Sequence, residues 1–319
     1  MSSKHRILSL SPATTEALIA LKFEEALIGR SHRCDYPATI ESLPVCTKSH
    51  YNEALDSGQI SKALQKLQTE NQAPITLLRD VLAKQAPPTL IIVNQNDIIG
   101  LPATQIRQGL PRQIEYVSIP ILSYAPTHLS TVWEGIRTIS GTLGIPSHGE
   151  VVIATMRGRM EAIATRARTA SVKLQTPPKV LCLTWLEPLE VAGWWIPEMV
   201  ELLGAESCCN EVGTDPQQIE WEDIVNINPD IIIVMPRGMN DHRARREMAL
   251  LTRKSEWKTL KAVQDETVYL ADGNTFFNRP GPRLVESLEI LAEIIHPEAF
   301  SFGHLYKGWQ RFSLRELFR

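Results

Sequence analysis

Twice in this chain a helix-like stretch runs through a proline into a strand-length apolar run: D-V-L-A-K-Q-A-P-P-T-L-I-I-V from Asp80 and E-D-I-V-N-I-N-P-D-I-I-I-V from Glu222. Proline breaks a helix, and an unbroken aliphatic run suits a strand covered on both faces, so each copy reads as helix, break, buried strand. Repetition of the unit in the two halves implies two similar lobes. Further strand-length runs at Ile7 to Leu10, Lys179 to Leu183 and Thr267 to Leu270 alternate with helix-like stretches, the pattern of α/β architecture with parallel sheets. In the first half, Ile7 to Leu10 leads to Ser11, suited to a helix N-cap, and Pro12, suited to the first helical position. In the second, Lys179 to Leu183 leads to Pro197 as helix opener and Gly204 as C-cap.

Between the halves, Ser147 to Ser171 is nearly free of helix breakers, and Val152, Met156, Met160, Ile163 and Ala167 fall on one helical face. About 25 residues at 1.5 Å each give roughly 37 Å, enough for a strut between lobes, although a surface helix of one lobe has the same pattern. Arg157, Arg159, Arg166, Arg168 and Lys173 read as its solvated face.

The 319 residues, 43% of them hydrophobic, can bury two cores or one large one. A net charge of −3 offers no clustered positive charge for nucleic acid or an anionic membrane, so neither is expected as a partner. No run approaches the roughly 18 to 20 apolar residues of a membrane span, and the opening M-S-S-K-H-R-I-L-S-L lacks the apolar core of an export signal. Five scattered cysteines, Cys34, Cys46, Cys182, Cys208 and Cys209, suit a reducing compartment, and the expected location is cytoplasmic. Cys208 and Cys209 read as small buried hydrophobes. Without a G-x-S-x-G elbow, a Walker loop or a G-x-G-x-x-G turn, the chain lacks the usual marks of a hydrolase, NTPase or dinucleotide enzyme. No four-ligand zinc pattern occurs, so no metal site and no required cofactor are expected.

The segments R-I-L-S-L-S-P-A-T-T-E-A-L (Arg6 to Leu18), L-I-G-R-S-H-R-C-D-Y-P (Leu27 to Pro37) and L-P-V (Leu43 to Val45) resemble the first lobe of the cobalamin-binding proteins that serve ABC transporters. P-E-M-V-E-L-L-G-A (Pro197 to Ala205), the Glu222 segment and D-G-N-T-F-F-N-R-P-G-P-R-L-V-E-S-L-E (Asp272 to Glu289) continue the match. These proteins belong to a wider class with a helical backbone that includes siderophore and haem binders. A-G-W-W-I-P-E-M, F-N-R-P-G-P-R and H-P-E-A-F-S-F-G-H are similar to a branch without an export signal. The resemblance implies two Rossmann-like α/β lobes joined by a single long helix: residues 1–146, a connecting helix 147–172, residues 173–299, and a tail 300–319 packed on the second lobe. It implies a corrinoid or similar tetrapyrrole-like ligand between the lobes, held by a cytosolic carrier or sensor with no catalysis. A transporter's substrate-binding component and a corrinoid-modifying enzyme are the alternatives.

A flat macrocycle needs aromatic faces and a few polar groups, and in open α/β sheets ligands bind at the carboxyl ends of strands. Trp185, Trp194, Trp195, Phe276 and Phe277 fall in loops after second-lobe strands, with core packing as the alternative for each. Adjacent residues on opposite faces make pure core packing of both Trp194 and Trp195 unexpected. In the first lobe, Ser11, Pro12 and Thr14 sit at a strand-to-helix junction whose amides could bind a carbonyl or carboxylate, and His32, Asp35 and Tyr36 lie in the next loop. Ser11 as a helix cap and Asp35 as a turn former are the plain alternatives. The resemblance brings Asp272, Asn278 and Arg279 near the ligand, unless Asp272 and Arg279 simply pair. It departs from the transporter proteins at Asn94-Gln95, where an aromatic is usual, and Gln95 is carried as a contact. His32 could ligate a cobalt or iron centre. Relatives dock on their permease through one acid at each lobe tip; Glu222, seven residues before Pro229, and Asp80, seven before Pro87 and eight before Pro88, are the candidates here.

Overall fold

A computed structural model describes residues 5–96, 101–112, 118–172 and 176–313. Its first half contributes strands β1 (Ile7–Ser9), β2 (Leu27–Arg30), β3 (Thr47–Ser49), β4 (Ile75–Leu77), β5 (Leu90–Asn94) and β6 (Ile121–Tyr124). Four of these form a parallel sheet in the order β2-β1-β5-β6, with every residue of β5 buried, while β3 and β4 pair antiparallel beside it. The second half contributes β7 (Lys179–Leu186), β8 (Leu189–Val191), β9 (Glu206–Ser207), β10 (Gln217–Gln218), β11 (Ile231–Val234), β12 (Val268–Ala271) and β13 (Trp309–Arg311). Their order is β10-β8-β7-β11-β12-β13, and β9 joins the start of β7. Strands β7, β11 and β12 are parallel, whereas β8 and β13 run back antiparallel. The two α/β lobes follow the repeat read in the sequence.

The apolar run at Lys179 was expected to stop at Leu183, but β7 continues to Leu186 because β8 folds back on it, pairing Glu190 with Trp185 and Leu189 with Leu186. That extension carries Trp185 into a small apolar cluster with Ile60 and Met239. Pro12 opens the helix Pro12–Ala20 as expected, yet Ser11 makes no side-chain cap. Its hydroxyl instead accepts the Asn94 amide at 3.1 Å and bonds the Thr14 hydroxyl at 2.9 Å, tying β5 to the start of the helix. In the second lobe the helix starts at Trp195, two residues before Pro197, and ends at Leu202, with Gly204 at φ +72° where a side chain would be strained.

The connecting helix runs Pro146–Ser171, with Ile153, Met156, Met160, Ile163, Ala164 and Ala167 buried. It lies between the first-lobe helix Leu129–Thr142 and the second-lobe helix Leu284–Ile295. A Cβ on Gly149 would fall 2.1 Å from the Ser140 hydroxyl, so the first of these crossings depends on glycine. One continuous apolar core follows this helix from Ile7, Leu18 and Trp133 to Trp195, Phe277 and Leu288, which stiffens the join between lobes. Three of the arginines expected to be solvated have partners: Arg159 reaches Glu289 at 2.7 Å, Arg166 lies over the Phe300 ring, and Arg168 pairs with Glu161 on its own helix at 2.8 Å. Lys173 lies outside the described residues. At the far end, β13 extends the second sheet, Phe300 and Phe312 are buried, and the Glu293 carboxylate accepts the Gly303 amide and the Trp309 indole N–H at 2.7 and 2.6 Å. Arg315, Glu316, Phe318 and Arg319 lie outside the described residues. Among the described residues, no helix is long and apolar enough to cross a membrane.

Candidate functional site

The carboxyl ends of β2, β7, β11 and β12 face a cavity of about 290 Å3 between the lobes. The loop after β2 supplies His32, Arg33 and Asp35, and is held in place by Arg30, whose guanidinium donates to the carbonyls of Cys34 at 2.7 Å and Glu41 at 3.1 Å. Across the cavity, β7 and β8 present Trp185 and Glu190, the turn after β11 presents Arg237 and Gly238, and the loop after β12 presents Asn274. A fifth wall is the first-lobe helix Ser57–Thr69, capped by Asp56 accepting the Gln59 amide at 2.7 Å.

That helix closes the cleft. Ile60 packs with Trp185 and Met239 in a small apolar cluster spanning the lobes. The Trp185 indole donates to the Ser61 hydroxyl at 2.9 Å, and Ser61 donates to the Glu187 carbonyl at 2.8 Å. The Ser57 amide donates to both Glu247 oxygens, at 3.2 and 3.1 Å, and Arg243 donates to the Leu55 carbonyl at 2.9 Å. On another side Glu198, in the helix Trp195–Leu202, accepts the Leu129 amide at 2.8 Å and so caps a first-lobe helix from the second lobe.

Apart from Arg243, whose bonds are to carbonyls, the arginines around the cavity are paired with acids. Arg33 binds Glu53 at 2.7 Å and the Tyr51 hydroxyl at 2.6 Å, while both ring nitrogens of His32 are engaged, Nδ1 with the Thr47 hydroxyl at 2.6 Å and Nε2 with Glu53 at 3.1 Å. Burial works against ionising Glu53, but the His32 hydrogen bond and the Arg33 charge outweigh it and bring its pKa down to about 2. Arg237 pairs with Glu190 and lies over the Trp185 ring. Arg279 donates to Asp35 at 2.6 and 2.9 Å and to Glu16 at 3.1 Å, joining the lobes through a buried cluster. Burial also opposes the Asp35 charge, and the Arg279 bond overrides it, so its pKa falls. Glu16 goes the other way: buried, with Oε2 lacking a hydrogen-bond partner, it is raised to about 7 because desolvation exceeds the attraction of Arg279 and Arg283.

Of the residues expected around a ligand, His32, Asp35 and Trp185 line this cavity. Arg279 stands behind it, paired with Asp35 and Glu16 rather than with Asp272 or open space. Asp272 instead accepts the amides of Asn274 and Thr275 at 2.9 and 2.7 Å, and Asn278 ties the loop together by donating to the Gly273 carbonyl at 2.7 Å. Phe276 and Phe277 are core. Trp195 is 0% exposed and donates to the Phe277 carbonyl at 2.9 Å, which leaves it no face for a ligand. Trp194 is half-buried, stacked on Trp195, and bonded to Asp215 at 2.8 Å. The stacking defies the expectation of opposite faces because Trp194 has φ +55°, a left-handed backbone that turns both rings the same way.

Ser11, Pro12 and Thr14 are buried beneath the first sheet's strand ends, Tyr36 is half-exposed with the Arg283 guanidinium over its ring, and Gln95 is exposed. His32, with both nitrogens occupied, is not arranged as an axial ligand, and the described residues contain no cluster of three metal-binding side chains. Burial pushes the Cys208 and Cys209 thiols up to about 12 and about 11, away from redox or nucleophilic use. Asp80 and Glu222 are exposed on the short helices Arg79–Leu82 and Trp221–Ile227.

Tyr51, Glu53, Glu190, Arg237 and Arg243 went unread in the sequence. Arg237 had a usable signal, since it follows the aliphatic run of β11 at the strand's carboxyl end. Tyr51, Glu53 and Glu190 carry no spacing to mark them, and Arg243 is hidden in a run of charged residues.

A family model for periplasmic binding proteins matches residues 7–275. The chain belongs to that family. It is a family of binding proteins rather than of enzymes, so the cleft holds a ligand without transforming it. The binding protein is 22% identical to the ABC transporter substrate-binding lipoprotein YvrC of Bacillus subtilis, over 92% of this chain and 81% of that one. A periplasmic heme-binding protein from Pseudomonas aeruginosa superposes with a TM-score of 0.69 at 19% identity, covering 97% of this chain and 98% of the other. The periplasmic vitamin B12-binding protein of Vibrio cholerae gives 0.60 at 21% identity, with 91% and 96% covered. At these identities the two structures share the fold of the binding protein, two lobes about a central cleft.

Proposed function

We propose that this binding protein holds a corrinoid or another tetrapyrrole-like ligand between its lobes, as a carrier or sensor in the cytosol. The observation that carries the reading is the cavity where strand ends from both lobes meet, lined by Trp185 and Tyr51 and by hydrogen-bonding groups suited to a macrocycle's periphery. The shared fold of proteins named for heme and for vitamin B12 supports it. At about 290 Å3 the cavity lies just under the range of roughly 300 to 1,000 Å3 for drug-sized ligands, so it admits a peripheral arm, and the ring enters as the lobes part. Five free cysteines, four of them buried, support a reducing compartment. The test is the visible absorption spectrum of protein purified from its native host, with cell fractionation alongside. A corrin or porphyrin band in soluble cytosolic protein is the expected result; colourless protein, or protein recovered outside the inner membrane, contradicts it.

A second reading, the substrate-binding component of an ABC transporter for cobalamin, haem or a siderophore, is favoured by the similarity to YvrC along nearly the whole chain. Asp80 and Glu222, exposed ahead of β5 and β11 in the two lobes, are the groups that would meet a permease. Membrane crosslinking to a permease that is lost in the Asp80→Ala, Glu222→Ala double variant would favour this reading over the carrier.

A further inference from the structure

Three guanidinium groups line the cavity and a fourth, Arg279, stands behind it, and three carboxylates meet three of these four. Arg33 holds Glu53, Arg237 holds Glu190 and Arg279 holds Asp35, so each of these acids is already engaged. Arg243 is the fourth. Its Nη1 donates to the Gly238 carbonyl at 3.0 Å and its Nη2 to the Leu55 carbonyl at 2.9 Å, and among the described residues no carboxylate lies within ion-pair distance of it. Those bonds use two of the five N–H donors an arginine carries. Carbonyl dipoles compensate only part of a full charge, and burial lowers the Arg243 pKa, although an arginine stays protonated throughout the physiological range. Glu247, already engaged by the Ser57 amide, and Glu53, already held by Arg33, act on Arg243 only from a distance. A half-buried cation in a cavity wall with no acid in contact and donors to spare is the kind of group that concentrates where a ligand brings charge.

The geometry points to Arg243 as the receptor for an anionic group of the ligand, so that the tetrapyrrole taken by this cleft carries at least one free carboxylate rather than a periphery of amides. This rests on the tetrapyrrole reading above and narrows it. A planar guanidinium fork matches a carboxylate, and the small cavity is sized for the acid-bearing arm of a macrocycle. The apolar cluster of Ile60, Trp185 and Met239 beside it would exclude water from the contact.

The experiment titrates full-length protein with cobyrinic acid, whose periphery bears carboxylates, and with cobinamide, whose periphery bears amides, following tryptophan quenching; citrate serves as an anion without a ring. Arg243→Gln removes the charge and keeps an amide donor for the carbonyls, and its melting curve reports whether it folds. The expected result is wild-type protein binding cobyrinic acid at least about tenfold more tightly than cobinamide, with the preference erased in Arg243→Gln. The wild-type comparison stands even if the variant fails to fold. Equal binding of the two corrinoids, or a preference that survives in the variant, overturns the assignment while the tetrapyrrole reading stands. Citrate binding that depends on Arg243, with neither corrinoid bound, supports the anion receptor and sinks the tetrapyrrole reading. No response to any of the three overturns both.

Discussion

Arg279 of the second lobe and Asp35 of the first form a two-point ion pair, Nη1 to Oδ1 at 2.6 Å and Nη2 to Oδ2 at 2.9 Å. The guanidinium is 4% exposed and the carboxylate 45%, so the pair is a latch with its arginine end in the core and its aspartate end at the cleft. Together with Ser57 on Glu247 and Trp185 on Ser61, it makes the closed arrangement a bonded state. A ligand larger than the cavity has to exchange these contacts for its own.

Asp35→Ala leaves Arg279 with Glu16 as its remaining close acid. Breaking a fully buried pair costs about 3 to 5 kcal/mol; the exposure of Asp35 reduces the expected loss to about 2 kcal/mol at pH 7. Thermal melting measures it, and small-angle scattering of the variant should show a larger radius of gyration. A variant as stable and as compact as the parent would mean that the pair does not hold the lobes.

Glu16 gives a pH signature. Its folded pKa of about 7 lies above the ordinary 4.5, so between these values the native state binds more protons than the unfolded chain, and this group's contribution to stability declines as pH rises through that window. Above pH 7 a buried carboxylate with an unpartnered oxygen is a net cost. Glu16→Gln should therefore melt higher than the parent at pH 8, by an increment on the order of 1 kcal/mol, and match it near pH 4.5. Destabilisation at pH 8 would show that the Arg279 contact outweighs burial. Glu53 has the opposite sign: its pKa of about 2 contributes stability above 4.5 that disappears as pH falls toward 2, so Glu53→Gln should cost stability at pH 7 and nothing near pH 2.

The three tryptophans separate packing from binding. Trp195→Ala empties a fully buried site and should cost about 3 to 5 kcal/mol. Trp185→Phe keeps most of the ring and loses one hydrogen bond to Ser61, about 1 kcal/mol, while altering ligand affinity. Trp194→Ala, at a half-buried stacked ring, should fall between them in stability. Melting curves and ligand titrations on the same preparations decide it. Equal stability losses at Trp185 and Trp195 would contradict the division drawn here.

How much of this was legible follows from what leaves a pattern. Buried parallel strands print uninterrupted aliphatic runs, and Pro12, Gly204 and the break at Pro229 mark element ends, so two lobes and a long helix could be read directly. The strand-end rule also found Trp185, and the family resemblance singled out the loop of His32 and Asp35. Glu247 and Ser57, or Glu16 and Arg279, meet only because the lobes close on one another, and no local spacing encodes a contact across 190 or 263 positions. Arg243 lies in a run of charged residues, D-H-R-A-R-R-E, that looks like any solvated helix face. Trp195 was misjudged because alternation of neighbouring side chains presumes ordinary backbone, and Trp194 does not have it.

Deleting the chain after Pro297 should lower the melting temperature. It removes β13 from the edge of β12, takes Phe300 and Phe312 from the core, and leaves the Glu293 carboxylate without the amides it accepts. Unchanged melting accompanied by lost liposome binding would instead assign the tail to a membrane surface.

The most direct test of the account is a fluorescence titration of the protein with cobalamin, cobinamide, cobyrinic acid and haem, run in parallel on Trp185→Phe. A tetrapyrrole seated between the lobes lies against Trp185 and absorbs where indole emits. The account predicts saturable quenching by at least one of the four, with a smaller amplitude in Trp185→Phe. Absence of quenching by any of them up to about 100 μM, where even a binding free energy near −5.5 kcal/mol would register, contradicts a tetrapyrrole ligand for this cleft.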